Sequence, residues 1–164
     1  LGIPADLTNE GIRGLKHEKS TFFPAQIGQG CTWDKDLIRE IGRITGEEAR
    51  ALGYTNVYSP ILDVARDPRW GRTVESYGED PYLVGELGRQ QVLGIQSNRV
   101  VSTPKHFAIY GVPAGGRDCE SPPRRKYTSC TSNPSASPSR KQAHSEPCVH
   151  TTTTTVRPSA PAIT

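Results

Sequence analysis

"NVYSPILDVARDPRWGR", residues 56–72, is the stretch on which the fold turns. Its first part, "NVYSPIL" at 56–62, is β-rich and free of charge and reads as a strand. Pro60 is the exception inside it, since it has no N–H to give to a sheet ladder. Its last part, "DPRWGR" at 67–72, crowds an Asp, a Pro, two Arg, a Trp and a Gly together. One reading is a charged surface turn with Trp70 packed on a helix. The other is the rim of a binding site. There Gly71 lets the backbone turn closely before Arg72, and Asp67 and Glu75 are near enough to orient guanidinium groups by charge-assisted hydrogen bonds.

Helices flank this stretch on both sides. "TWDKDLIREIGRITGEEARALG" at 32–53 has apolar residues at Trp33, Leu37, Ile38, Ile41, Ile44, Ala49 and Leu52, which is helical spacing. Thr32 is placed as its N-cap, Asp34 and Asp36 suit the first turn, and Gly53 suits the stop. "DPYLVGELGRQQVLGIQ" at 80–96 predicts the next helix, with Asp80 as cap and Pro81 at the first helical position. "GIPADLT" at 2–8 and "RVVSTP" at 99–104 read as further strands, and residues 9–30 as a Gly- and charge-rich loop. Strand, helix, strand, helix, strand with crossovers of this length predicts an α/β protein with parallel βαβ units.

The polar motifs all follow strands. Glu10 in "NEG" is either a capping or salt-bridging acid or an acceptor for ligand hydroxyls. Lys105 and His106 in "KHF" come directly after an apolar strand, where both side chains offer hydrogen bonds to hydroxyls or an anionic centre. His106 reads equally as a core histidine satisfied by the backbone. Asp63, Asp67, Glu75 and Glu79 read as loop-shaping or helix-entry acids. No second His or Cys stands at metal-ligand spacing, and neither a G-x-G-x-x-G after a strand nor a phosphate-binding P-loop motif is present.

Composition narrows the classes further. The chain has 164 residues, enough for a real core, with 20 Lys and Arg against 17 Asp and Glu. That excess falls in residues 119–164, so the body carries no basic nucleic-acid footprint. No apolar run is long enough to span a membrane, and the lack of a signal-like segment leaves export open. The chain begins at Leu1 and contains no Met, which reads as a fragment or a processed product. Residues 119–164 are rich in Ser, Thr and Pro, lack apolar periodicity and are expected to be disordered. Cys119, Cys130 and Cys148 lie there and Cys31 stands alone in the body, giving no disulfide framework.

Taken together, "TNEGIRG", "FPAQIGQGCTWDKDLI", "YSPILDVARDPRWGRTVESYGEDPYLVG" and "STPKHFAIYGVPAGGRD" resemble the N-terminal barrel domain of family 3 glycoside hydrolases, over residues 1–118. The resemblance is to the β-glucosidase and β-xylosidase branch. It implies part of a (β/α)8 barrel, about three βα units, and retaining hydrolysis of β-linked oligosaccharides or glycosides without a cofactor. It also implies substrate-binding roles for Glu10, Arg72, Lys105 and His106, with Asp in many members where Glu10 stands. Within "DPRWGR" it assigns loop shaping to Arg69 and Trp70 and the sugar contact to Arg72. Neither the nucleophile Asp nor the acid/base Glu of the family has a counterpart here, so no catalytic residue is assigned and the chain alone is expected to be inactive. The alternatives are a non-catalytic carbohydrate-binding remnant, and β-xylosidase as the parent activity.

The resemblance ends at Asp118, and the five consecutive Thr at 151–155 bear on why. Thr codons all begin with AC. A one-base shift turns such a run into codons ending in AC, which encode only Tyr, His, Asn or Asp, and the step into Val156 permits Gly. The family has Ser-Tyr-Asn-Asp-Tyr-Asp-Gly in this region, and the shifted codons allow it throughout. A frame-shifted tail is the expectation; a genuine Ser/Thr/Pro-rich linker is the rival.

Overall fold

The computed structural model describes residues 2–106 together with Tyr110 and Gly111. Three short parallel strands form one sheet in the order β1 (Thr8–Asn9), β2 (Asn56–Val57), β3 (Val101–Ser102). Asn56 pairs with Thr8 on one side and with Val101 on the other. Two long helices, α2 (Lys35–Ala51) and α3 (Pro81–Gln96), make the crossovers. A short helix, α1 (Gln26–Gly30), precedes α2, and a 3-10 turn covers Thr73–Glu75. The predicted parallel α/β order is therefore present.

The strands are shorter than predicted. Of residues 2–8 only Thr8 enters the sheet, extended by Asn9; Ile3 is 86% exposed, and Pro4 has no N–H to offer a ladder. In 56–62 the regular pairing stops after Val57. It resumes as a single bridge between Ile61 and Lys105, where Pro60 contributes only its carbonyl, accepting from the Lys105 N–H at 3.0 Å. In 99–104 only Val101 and Ser102 are strand.

The start of α2 also differs from expectation. Asp34, not Thr32, is the N-cap: its Oδ1 accepts from the N–H groups of Asp36 and Leu37, both at 3.0 Å. The Thr32 hydroxyl is instead committed to the end of α1, donating to the Gln29 carbonyl at 2.7 Å. Trp33 falls outside the helix and is 72% exposed. Helix α1 lies inside the stretch read as loop, and one turn is too short to show a 3.6-residue period. Helix α3 matches expectation, with the Asp80 carboxylate capping Tyr82 and Leu83 and Pro81 at its start.

Helices α2 and α3 pack backbone to backbone. A Cβ on Gly42 would lie 2.5 Å from the Gln91 carbonyl oxygen, and one on Gly94 would lie 2.2 Å from that of Arg39. Ile38, Ile41, Val64, Tyr77, Val84 and Leu87 form one buried cluster, and Leu15, Ala49, Val57, Ile95 and Val100 another. A polar seam runs through this interior. Gln91 Oε1 accepts from the Tyr77 hydroxyl and from Gln26 Nε2 (3.2 Å), while Gln91 Nε2 donates to the Ser59 hydroxyl at 3.2 Å. Burial pushes the Tyr77 phenol well above its ordinary pKa. The predicted boundary at residue 118 and the predicted disorder of 119–164 lie outside the described residues.

Candidate functional site

Each strand hands the chain to a polar loop at its C-terminal end. Glu10 follows β1. Gly11 comes next with φ +62°, and a Cβ there would sit 2.0 Å from Val57 Cγ1, so only glycine lets the loop cross β2 this closely. Asp63 and Arg72 lie on the excursion after β2, and Lys105 and His106 follow β3. The sheet register brings all of these to one end.

The four residues singled out in the sequence form one connected group. Lys105 Nζ donates to Glu10 Oε2 at 2.5 Å. Arg72 Nε and Nη2 donate to Glu75 Oε2 at 3.0 and 2.6 Å. Arg72 Nη1 stands 2.9 Å from His106 Nε2, and Lys105 and His106 are chain neighbours. Between a quarter and a third of the Arg72 and His106 side-chain surface remains open (29% and 27%), so the group is reachable from solvent.

Asp63 carries the part that the sequence did not reveal. It is buried, its Oδ2 lies 2.6 Å from His106 Nδ1, and its Oδ1 accepts from the Tyr110 N–H at 3.1 Å. Its one sequence signal was an acid isolated in the apolar run "ILDVA". Tyr110 was likewise missed. Its ring meets His106 edge-on at 4.8 Å between centroids and Trp70 edge-on at 5.6 Å, and Arg72 Cζ lies 5.7 Å from its centroid. The chain can return here because residue 111 is glycine: a Cβ would lie 2.2 Å from the Val64 carbonyl oxygen.

"DPRWGR" divides between the two readings considered for it. Trp70 is 2% exposed and belongs to the interior. Arg69 is a surface residue that grips Asp67 through Nε and Nη2 at 2.9 and 2.6 Å, holding that carboxyl at a pKa of about 2. Arg72 alone of the six joins the cluster.

The two fixed cations are each paired, Lys105 with Glu10 and Arg72 with Glu75. What the cluster offers a ligand is a row of alternating donors and acceptors rather than a bare charge. Such a row suits a neutral molecule rich in hydroxyl groups. Among the described residues, no three His, Cys, Asp or Glu side chains gather into a group able to hold a metal ion.

A parallel α/β unit with its polar cluster at the carboxyl ends of the strands has the layout of proteins that bind small ligands at that edge. The chain belongs to glycosyl hydrolase family 3: the model of the family's N terminal domain matches residues 1–129, past Asp118 where the resemblance read from the sequence ends. It is 42% identical over 124 residues to a beta-xylosidase of Formosa agariphila, covering 67% of this chain and 17% of that protein. It is 37% identical over 108 residues to the periplasmic beta-glucosidase of Salmonella typhimurium, covering 62% of this chain and 14% of that one. Among solved structures, it is similar to beta-glucosidase 3B from Thermotoga neapolitana in complex with alpha-D-glucose. That similarity has a TM-score of 0.63 and 35% identity, over 67% of this chain and 17% of that one. A beta-glucosidase involved in saponin metabolism from intestinal bacteria gives a TM-score of 0.69 at 40% identity, over 72% and 17% of the two chains. The chain thus spans less than a fifth of the length of the relatives it matches.

Proposed function

We propose that residues 1–118 form about three βα units of a (β/α)8 barrel, and that Glu10, Arg72, Lys105 and His106 hold the hydroxyls of the first sugar of a β-linked glycoside. The observation that carries this is the placement of those four side chains as two hydrogen-bonded pairs, Glu10 with Lys105 and Arg72 with His106, at the carboxyl ends of three parallel strands. The activity to which the site belongs is retaining β-glycosidase chemistry of the β-glucosidase type. The alternative is β-xylosidase, favoured by the name of the Formosa agariphila relative. No cofactor enters in either case.

Retention requires two carboxylates flanking the glycosidic bond, about 5–5.5 Å apart, one as nucleophile and one as acid/base. The acids of this cluster already have partners in it. Glu10 is tied to Lys105, Glu75 to Arg72, and Asp63 to His106 and the Tyr110 backbone. The proposal therefore gives this chain sugar binding and not bond cleavage, which in the isolated chain amounts to a non-catalytic carbohydrate-binding site. A titration of the 164-residue chain with glucose and with xylose, followed by NMR, tests it. Saturable shifts centred on Lys105 and His106 are expected, and absence of any saturable shift with either sugar refutes the assignment.

A further inference from the structure

Resting on the sugar-site reading above, we infer that Asp63 is a positioning residue that fixes His106 as its Nδ1–H tautomer, so that the lone pair of Nε2 faces Arg72.

The two neighbours of the ring allow one arrangement. A guanidinium has only N–H donors and does not lose its charge in proteins, so the 2.9 Å contact between Arg72 Nη1 and His106 Nε2 needs the lone pair on Nε2. A carboxylate only accepts, so the 2.6 Å contact between Asp63 Oδ2 and His106 Nδ1 needs the proton on Nδ1. Partners 34 and 43 residues away in sequence thus specify the same state. A proton on Nε2 would set N–H against N–H of a cation.

Asp63 is held firmly enough to impose this. Its carboxylate is buried, Oδ1 is engaged by the Tyr110 N–H, and its carbonyl accepts from the Ser76 hydroxyl at 2.6 Å. Asp63 itself is too deep to touch a sugar and acts through the ring. The consequence is a defined chemistry at the site. Nε2 accepts, and the neighbouring Arg72 N–H donates. A single free hydroxyl inserted between them replaces their direct contact, donating its proton to Nε2 and accepting from Arg72. An ether oxygen at that position satisfies only Arg72.

The test uses the full 164-residue chain with 15N-labelled histidine, reading the tautomer from ring-nitrogen shifts and their couplings to the ring protons. The His106 signals are identified by their loss in His106→Gln. Wild type is expected to show protonated Nδ1 and unprotonated Nε2 above neutral pH, and Arg72→Ala to leave that unchanged. In Asp63→Asn the Tyr110 N–H retains the side-chain carbonyl oxygen, which turns the amide NH2 toward Nδ1. With Arg72→Ala added, so that no N–H opposes a proton on Nε2, the tautomer should reverse to Nε2–H while the backbone amide spectrum stays otherwise intact. Nε2–H or averaged nitrogens in wild type, or Nδ1–H persisting in a folded Asp63→Asn, Arg72→Ala double variant, overturns the inference. If the double variant fails to fold, wild type and Arg72→Ala decide: Nδ1–H in both supports it and Nε2–H in either refutes it. No sugar is needed for this readout, so the sugar-site reading stands or falls separately on the glucose and xylose titrations.

Discussion

Arg72 Nη1 stands 2.9 Å from His106 Nε2, although 34 residues separate them and each leaves the sheet from a different strand. The contact depends on the register of β2 against β3, in which Val57 pairs with Ser102 and Ile61 with Lys105. A slip of one residue would turn every side chain to the other face and separate the pair. The cluster is therefore a product of strand pairing.

Arg72→Ala should weaken glucose binding by about ten- to a hundredfold. A hydrogen bond to a charged group contributes about 1.5–3 kcal/mol, and Glu75 would lose its partner at the same time. The measurement is a glucose titration of wild type and variant, with circular dichroism to show that the helices persist. Equal affinities would remove Arg72 from the site.

The 164-residue chain should not turn over a chromogenic aryl β-glucoside or β-xyloside above background. Holding the ground state does not lower the barrier, and the clustered acids are already engaged. Turnover that disappears in Asp63→Asn or Glu75→Gln would instead place the chemistry in this chain.

Gly94→Ala should lower the urea midpoint even though alanine is the better helix former by about 1 kcal/mol. The new Cβ would lie 2.2 Å from the Arg39 carbonyl oxygen and 2.6 Å from the Arg43 nitrogen, and crowding of a packed interface costs about 1–3 kcal/mol. Gly28→Ala is the control, since a Cβ at Gly28 meets nothing within 4 Å. A midpoint for Gly94→Ala at or above that of Gly28→Ala would contradict the close crossing of α2 and α3.

Stability should fall at alkaline pH in a way that depends on Tyr77. Burial raises its pKa in the folded chain, so the folded state holds the phenolic proton more tightly than the unfolded state. Its contribution is complete below the unfolded value of about 10 and is lost as pH rises above that toward the folded value. Urea unfolding at pH 8 and pH 11 should show a larger drop for wild type than for Tyr77→Phe. Equal drops would mean that the phenol is not buried as described.

Asp80→Ala should cost about 1 kcal/mol by releasing the N–H groups of Tyr82 and Leu83 at the start of α3. Denaturant unfolding measures this directly, and Thr32→Ala should cost less, because Asp34 rather than Thr32 caps α2.

Local features were legible in the sequence. The helical spacing of residues 32–53 identifies α2, the Asp80–Pro81 start identifies α3, and the alternation of strand and helix signals identifies a parallel α/β order. Glu10, Arg72, Lys105 and His106 could be named because each directly follows a strand or a distinctive motif. These signals are carried by neighbouring residues, whose spacing sets which groups share a helix face or leave a strand end. Strand length was not legible. A strand ends where the partner strand stops offering N–H and C=O groups, and Pro60 interrupts that supply across the sheet as well as along the chain.

Pairings between distant side chains belonged to the tertiary structure alone. Asp63 looked like one more loop acid until the sheet register set it against His106, and Tyr110 carried no signal until the turn at Gly111 laid it over Trp70 and Arg72. Gly42 and Gly94 are the positions where the α2–α3 crossing brings backbones into contact. The sequence by itself determined which groups stand at the strand ends. Only folding decided which of them meet, because a hydrogen bond needs its two atoms within about 3 Å and pointing at each other. That condition depends on how separate elements pack, and spacing along one of them does not encode it.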